Sequence, residues 1–371
     1  MKIVFPDYYG GSIYNISQTV KASLDLKPSR SGVRHASFSG KPISLVVLDG
    51  LGYDLAIATG EINDDTPSLT SVFPSITCTA LTTLMSGQLP GEHSVLGDTT
   101  FLNHLGTIVM NSNYSSIYST TLDSLTRFMR MRDAYHANNI ILEATLEGKS
   151  CAVVCPDQWR NKELATLTSS EAGDHFYYHD FDNAIELYQT ATKRDYDFIY
   201  FYLPYIDQVS HKLGPRSNET VQTAKKTLKL VKAASLDNRN KYMSIITADH
   251  GHIQIKESIR LDSNKHALND MRIPPFGSAR SIFLNSVTAS KDEIEAEYDG
   301  LVAFKANSIN VTKMLGSTAC LRKTSFNYIA AADSDRSFYY PTTIGSIDNL
   351  MVGDHGGLTE QEMVVPCIVI E

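Results

Sequence analysis

Residues Ile43 to Leu48 read ISLVVL, an unbroken apolar run that stops at Asp49-Gly50. A strand with one wet face alternates apolar and polar residues. An unbroken run is what a strand covered on both faces requires. The pattern returns at Cys151–Cys155, Phe198–Leu203 and Met243–Thr247. Helical stretches separate these runs. Asn138 to Glu147 is stopped by Gly148, a second stretch starts at Asp182 and runs through Arg194, and Glu219 to Leu236 places Val221, Ala224, Leu228 and Val231 at helical spacing. Strands alternating with helices demand crossover connections. The expected fold class is therefore α/β, a mainly parallel sheet with helices on both faces.

Three regions depart from this rhythm. The first thirty-odd residues are turn-rich. Residues 98–132, rich in Ser, Thr, Asn and Tyr, read as long loops or a lid. Residues 260–340 carry shorter alternating pieces, such as Arg280 to Leu284, and read as an inserted α+β subdomain. A last strand, Val364 to Ile370, closes the pattern.

The formal net charge of -8 argues against a nucleic-acid-coating surface. Five cysteines, an odd count with no CxxC pair, make no disulfide framework and read as buried thiols in a reducing compartment. The start, MKIVFPD, lacks an apolar signal core, and no run approaches the ~20 apolar residues of a membrane span. The expectation is a cytoplasmic protein.

Polar groups cluster where the strands end. Asp49 follows the first, Asp207 and His211 the one ending at Leu203, and Asp249 and His250 the one ending at Thr247; His355 lies in a glycine-rich loop before the last. In an open parallel sheet these ends share one edge, the edge that binds ligands. Thr77 adds a hydroxyl at the start of a helical stretch that ends at Gly87, where unpaired N–H groups favour an anion. Three aspartates, three histidines and a hydroxyl suit two divalent ions, zinc by donor type with manganese as the alternative. Two such ions can serve an in-line displacement at phosphorus, with Thr77 as the attacking group.

Five segments carry a resemblance: LDG at Asp49, FPSIT and SGQLPGEH between Phe73 and His93, YIDQVSHKLGP from Tyr205, TADHG from Thr247, and GDHGG from Gly353. In this order they resemble the alkaline phosphatase superfamily, on its nucleotide pyrophosphatase/phosphodiesterase side. The resemblance implies a three-layer α/β sandwich, with residues 1–371 as one catalytic domain. It implies a phosphothreonine on Thr77, one metal held by Asp207, His211 and His355, and another by Asp49, Thr77, Asp249 and His250. The substrate it implies is a small phosphate ester or nucleotide; no membrane partner is expected, because no apolar run reaches the length of a span. His93 is expected to give a supporting hydrogen bond, and His252 to stand behind the ligands. Arg216 and Arg280 are candidate clamps on substrate. The remaining histidines (His35, His104, His136, His175, His179 and His266) carry no motif.

The sequence also departs from the family pattern. Ala80 stands where nucleotide pyrophosphatases place a phosphate-holding Asn, and Ser94 follows His93 where Gly is usual. The stretch HGGLTEQEMVVP from His355 is similar to PglZ-type phage-defence proteins. The alternatives to a phosphodiesterase are a phosphomonoesterase, a phosphonate hydrolase, or a defence component with little turnover.

Overall fold

The computed structural model describes residues 1–34, 40–170, 172–262, 268, 270–341 and 351–371. Its central sheet has six strands: β1 (Ile43–Leu48), β2 (Cys151–Pro156), β3 (Asp174–Tyr178), β4 (Phe198–Leu203), β5 (Met243–Thr247) and β6 (Ile368–Ile370). Their order across the sheet is β6-β5-β1-β4-β2-β3. All neighbours are parallel except β6, which runs antiparallel to β5. Every residue of β1, β2, β4 and β5 is buried, so both faces are covered, as the unbroken apolar runs require.

Helices cover the sheet in two sets. One contains α1 (Ile13–Ser23), α2 (Thr77–Ser86) and α3 (Ile140–Leu146); the other contains α4 (Phe181–Thr192), α5 (Tyr205–Leu213) and α6 (Asn218–Asp237). The caps follow side-chain chemistry. Asn139 caps α3, and Asp180, rather than Asp182, caps α4. Gly87 ends α2 in the left-handed conformation (φ 65°). Among the described residues no helix is long and apolar enough to cross a membrane.

The irregular regions hold more structure than their composition announced. Residues 98–132 contain a three-stranded antiparallel sheet of Thr99–Leu102, Thr107–Met110 and Ser115–Ser116 rather than long loops. Between 260 and 340 lies a four-stranded antiparallel sheet, in the order Ile273–Gly277, Ser281–Asn285, Tyr328–Ala332, Leu301–Lys305, with helices Lys291–Glu297 and Ile309–Leu315. The predicted last strand is two. Val364–Pro366 pairs with Ser68–Thr70, and β6 joins the central sheet, because Pro366 has no N–H with which to continue one ladder.

Candidate metal centre

Asp49 leaves the end of β1 with its backbone fixed on both sides. Its N–H donates to the Leu203 carbonyl (2.9 Å), and its own carbonyl accepts from Asp207 N–H (3.0 Å). The turn therefore stitches two acid-bearing strand ends together. Gly50 completes it at φ 77°, where a Cβ would stand 2.9 Å from both the Asp207 Cα and the His252 Nε2. Only glycine satisfies both constraints.

Each acid facing Thr77 has one oxygen engaged and one bare. Asp249 Oδ1 accepts from Gly50 N–H (3.2 Å) and His250 N–H (3.0 Å). Asp49 Oδ2 accepts from the Tyr202 hydroxyl. Asp49 Oδ1 and Asp249 Oδ2 are buried with no hydrogen-bond partner among the described residues. Both lie 3.4 Å from His250 Nε2, and Thr77 Oγ1 lies 3.0 Å from the same nitrogen. Two uncompensated carboxylate oxygens in a protein interior are costly. Together with the nitrogen and the hydroxyl they make the donor set of a cation. Burial first, then the neighbouring Asp249 and Asp207 carboxylates, push the Asp49 carboxyl well above the usual range.

The second donor group joins α5 to the glycine-rich loop. His211 Nε2 is 3.1 Å from Asp207 Oδ1 and 3.2 Å from His355 Nε2, and His355 Nε2 is 3.6 Å from Asp207 Oδ1. His211 Nδ1 donates to the Gly353 carbonyl (2.8 Å), and His355 Nδ1 to the Ser75 carbonyl (2.9 Å). When both rings are neutral with Nδ1 protonated, each turns a lone pair toward the other. That facing pair is favourable around a cation and unfavourable without one. The residues therefore fit two divalent ions. Burial opposes charge on His211, but the Asp207 hydrogen bond and charge prevail and push it up to about 9, so a proton supplies the charge Asp207 wants when no metal does. Burial and the neighbouring imidazoles hold His355 well below the usual histidine value.

His250 follows the same tautomer rule, its Nδ1 donating to the Gly251 carbonyl (3.2 Å). His252 does not. Its Nε2 lies 2.9 Å from Asp207 Oδ1, and its buried Nδ1 has no partner among the described residues. With its proton on Nε2, donated to Asp207, the ring holds that carboxylate in place; His252 also stands in a group with Asp207, His250 and His355 whose atoms could hold a metal ion. Burial outweighs Asp207 and holds His252 at about 4. His93 is buried: Nδ1 accepts from Val95 N–H (3.1 Å), so Nε2–H donates to Thr83 Oγ1 (2.9 Å), tying α2 to the loop beyond it.

Thr77 is the first residue of α2. The cap position is Ile76, in extended conformation with no side-chain cap bond, so the Thr77 hydroxyl is not a capping group. The opening N–H groups of α2 lack helical acceptors and face the same edge as the donors.

The two arginines lie elsewhere. Arg280 is fully buried; its Nε and Nη2 donate to Glu362 (2.6 and 2.9 Å), Nη2 also to the Ser334 carbonyl (2.9 Å), and Nη1 to the Arg336 carbonyl. It has a structural partner on each nitrogen. Arg216 is exposed and lines a cavity of about 310 Å³ with Gly52, Leu55 and His252. Tyr202, Glu362 and Asp354 were not singled out from the sequence. Asp354, adjacent to His355 in GDHGG, is the one with a visible signal. His35 and His266 lie outside the described residues.

Residues 63–309 match the model of the type I phosphodiesterase/nucleotide pyrophosphatase family. The chain belongs to this family. The family match stops short of Asp49 and His355, which the fold brings in from either side. Murine ectonucleotide pyrophosphatase/phosphodiesterase 5 superposes with a TM-score of 0.61 at 16% identity, over 88% of this chain and 87% of that one. Phosphonoacetate hydrolase from Sinorhizobium meliloti, in complex with phosphonoformate, superposes with a TM-score of 0.60 at 19% identity, over 89% and 90%. These likenesses show a shared fold, a mixed α/β architecture with a mostly parallel central sheet, consistent with an alkaline-phosphatase-like one. No curated protein sequence matches the chain.

Proposed function

We propose that this family member hydrolyses phosphate esters, phosphodiesters first, through a phosphothreonine on Thr77. One ion would be held by Asp49, Thr77, Asp249 and His250, the other by Asp207, His211 and His355. Zinc is the preferred ion and manganese the alternative, because the donor set mixes imidazole with carboxylate. Bound there, the ions would supply Lewis acidity to the attacking and leaving oxygens.

The observation that carries this reading is the pair of bare, buried oxygens, Asp49 Oδ1 and Asp249 Oδ2, beside the Thr77 hydroxyl. The α2 N-terminus would hold the equatorial phosphate oxygens with backbone N–H groups. Ala80 offers no side-chain donor, so the backbone bears that task. Thr77 Oγ1 would form a bond to phosphorus as the ester alcohol leaves with the bonding pair. Water would then cleave the phosphothreonine and restore the hydroxyl. An inactive threonine-to-alanine variant of the murine phosphodiesterase is known in complex with AMP, which supports a threonine in this role.

Thr77→Ala tests the proposal. Turnover of bis(4-nitrophenyl) phosphate should vanish while the fold and the bound metal persist. Undiminished metal-dependent activity in the variant would overturn it. A phosphonate substrate is the second reading, favoured by the Sinorhizobium meliloti neighbour; release of a carbonyl product from a phosphonate would identify it. We place the protein in a reducing compartment, a reading supported by five free, buried cysteines.

A further inference from the structure

The cavity of about 310 Å³ that Arg216 lines is built by the short helix Tyr53–Ala58, the turn between α5 and α6, and the start of α6. Leu55, Ala58, Pro215 and Val221 give it an apolar wall, and Asp54 and Arg216 bring opposite charges to the same lining. Asp54, Leu55 and Ala58 share one face, because residues three and four apart on a helix are neighbours.

The fold makes no use of either charge. The Asp54 carboxylate and the Arg216 guanidinium are exposed, and neither side chain makes a hydrogen bond or ion pair among the described residues. They line one cavity without pairing with each other. The cavity also touches the centre. His252 is in its lining, and the same ring donates to Asp207 Oδ1 (2.9 Å). Gly52 is in the lining too, and a Cβ there would come 3.0 Å from the Gly251 Cα and 3.1 Å from the Gln361 carbonyl. A hydrogen at that position keeps the lining in contact with the loop that carries Asp249 and His250.

We propose that this cavity binds a small zwitterion, an apolar α-amino acid, with Arg216 taking the carboxylate, Asp54 the ammonium and the apolar wall the side chain. The inference goes beyond the phosphoester reading and does not depend on it. A guanidinium offers a carboxylate two parallel N–H donors, and an ammonium has three donors for Asp54. A phosphate ester would bring negative charge to Asp54, and a simple amine would bring positive charge to Arg216. A molecule carrying both signs on an apolar body meets every part of the lining. The volume of about 310 Å³ stands at the lower end of the roughly 300–1,000 Å³ of small-molecule sites, which suits an occupant of amino-acid size. Such an occupant would neighbour the residue that holds Asp207.

The test is calorimetric titration of the full chain with L-leucine, with 3-methylbutylamine, which lacks the carboxylate, and with 4-methylpentanoate, which lacks the ammonium. Leucine should bind about tenfold more tightly than either, the worth of one charge-assisted contact. Arg216→Gln should bring leucine to within about twofold of the amine, and Asp54→Asn to within about twofold of the acid. Both side chains are exposed, so neither substitution disturbs the core. Leucine can also chelate a metal ion, and binding by that route would survive both substitutions. No binding of leucine, equal affinities for the three compounds, or a preference that survives both substitutions would overturn the proposal.

Discussion

Replacing Arg280 with methionine separates two roles that the sequence leaves open for it. Arg280 and Glu362 are both fully buried, and their two contacts measure 2.6 and 2.9 Å. Removing the guanidinium strands the Glu362 carboxylate in the interior, which costs about 3–5 kcal/mol in comparable buried pairs. Two terms shift that figure in opposite directions. Glu362 keeps Gly357 N–H (2.7 Å) and the Thr359 N–H and hydroxyl, which soften the loss. The Ser334 and Arg336 carbonyls lose their donor, which adds to it. Urea unfolding followed by fluorescence is the natural assay. Trp159 is the single tryptophan, stacked 4.3 Å from the Tyr202 ring that backs Asp49. The unfolding free energy extrapolated to water should fall by that amount, through a lower midpoint at an unchanged m-value. The double variant Arg280→Met with Glu362→Leu should lose less than the sum of the single losses, because the stranded charge is gone. A midpoint for Arg280→Met within about 0.5 kcal/mol of the parent, combined with a raised KM, would refute this reasoning and restore Arg280 as a substrate clamp.

Two further outcomes are expected. His252→Ala should weaken zinc binding about 10–100-fold in a competition titration, because Asp207 loses the donor that orients it; unchanged affinity would remove that role. Burial, with help from Lys323, holds His93 at about 3 in the folded state, against 6.5 when unfolded. The folded chain therefore resists a proton that the unfolded chain accepts. The associated stability is complete above about pH 6.5 and is lost at up to about 1.4 kcal/mol per pH unit as pH falls toward 3. A His93→Gln variant should show a shallower acid limb in thermal melts between pH 6.5 and pH 4.5, and an identical limb would contradict this.

The parts legible from sequence are those that local chemistry determines. The strands β1, β2, β4 and β5 announce themselves because a strand covered on both faces has only apolar residues to show. Asp249 and His250 stand out because polar groups following such a strand need a partner. Helix α1 was hidden because Asn15, Ser17, Gln18 and Thr19 are buried and blur its apolar stripe. Their hydrogen bonds run to places that no local window contains: the Ser31, Thr83 and Gly87 carbonyls and the Ser29 and Val33 N–H groups. The sheet over 98–132 was hidden for a similar reason. Its buried Asn111 donates to Thr100 Oγ1 and to the Gly97 carbonyl, so polar residues fill an interior role. The Arg280–Glu362 pair is not legible because nothing near Arg280 in sequence reveals Glu362. The sorting of His252 from His211, His250 and His355 depends on which carbonyl each Nδ1 meets, and that is set by the fold alone.

The donor residues at the ends of β1 and β5 rest on the apolar core of the central sheet, whereas Phe276, in the four-stranded sheet, and Phe338 belong to two other hydrophobic clusters. The donors at these two strand ends and the two aromatic side chains are thereby built on different foundations. Exchanging either aromatic residue repacks a cluster that neither of these strand ends leans on. Drift can alter these aromatic residues without disturbing the ground under Asp49 and Asp249, and a designer has the same freedom.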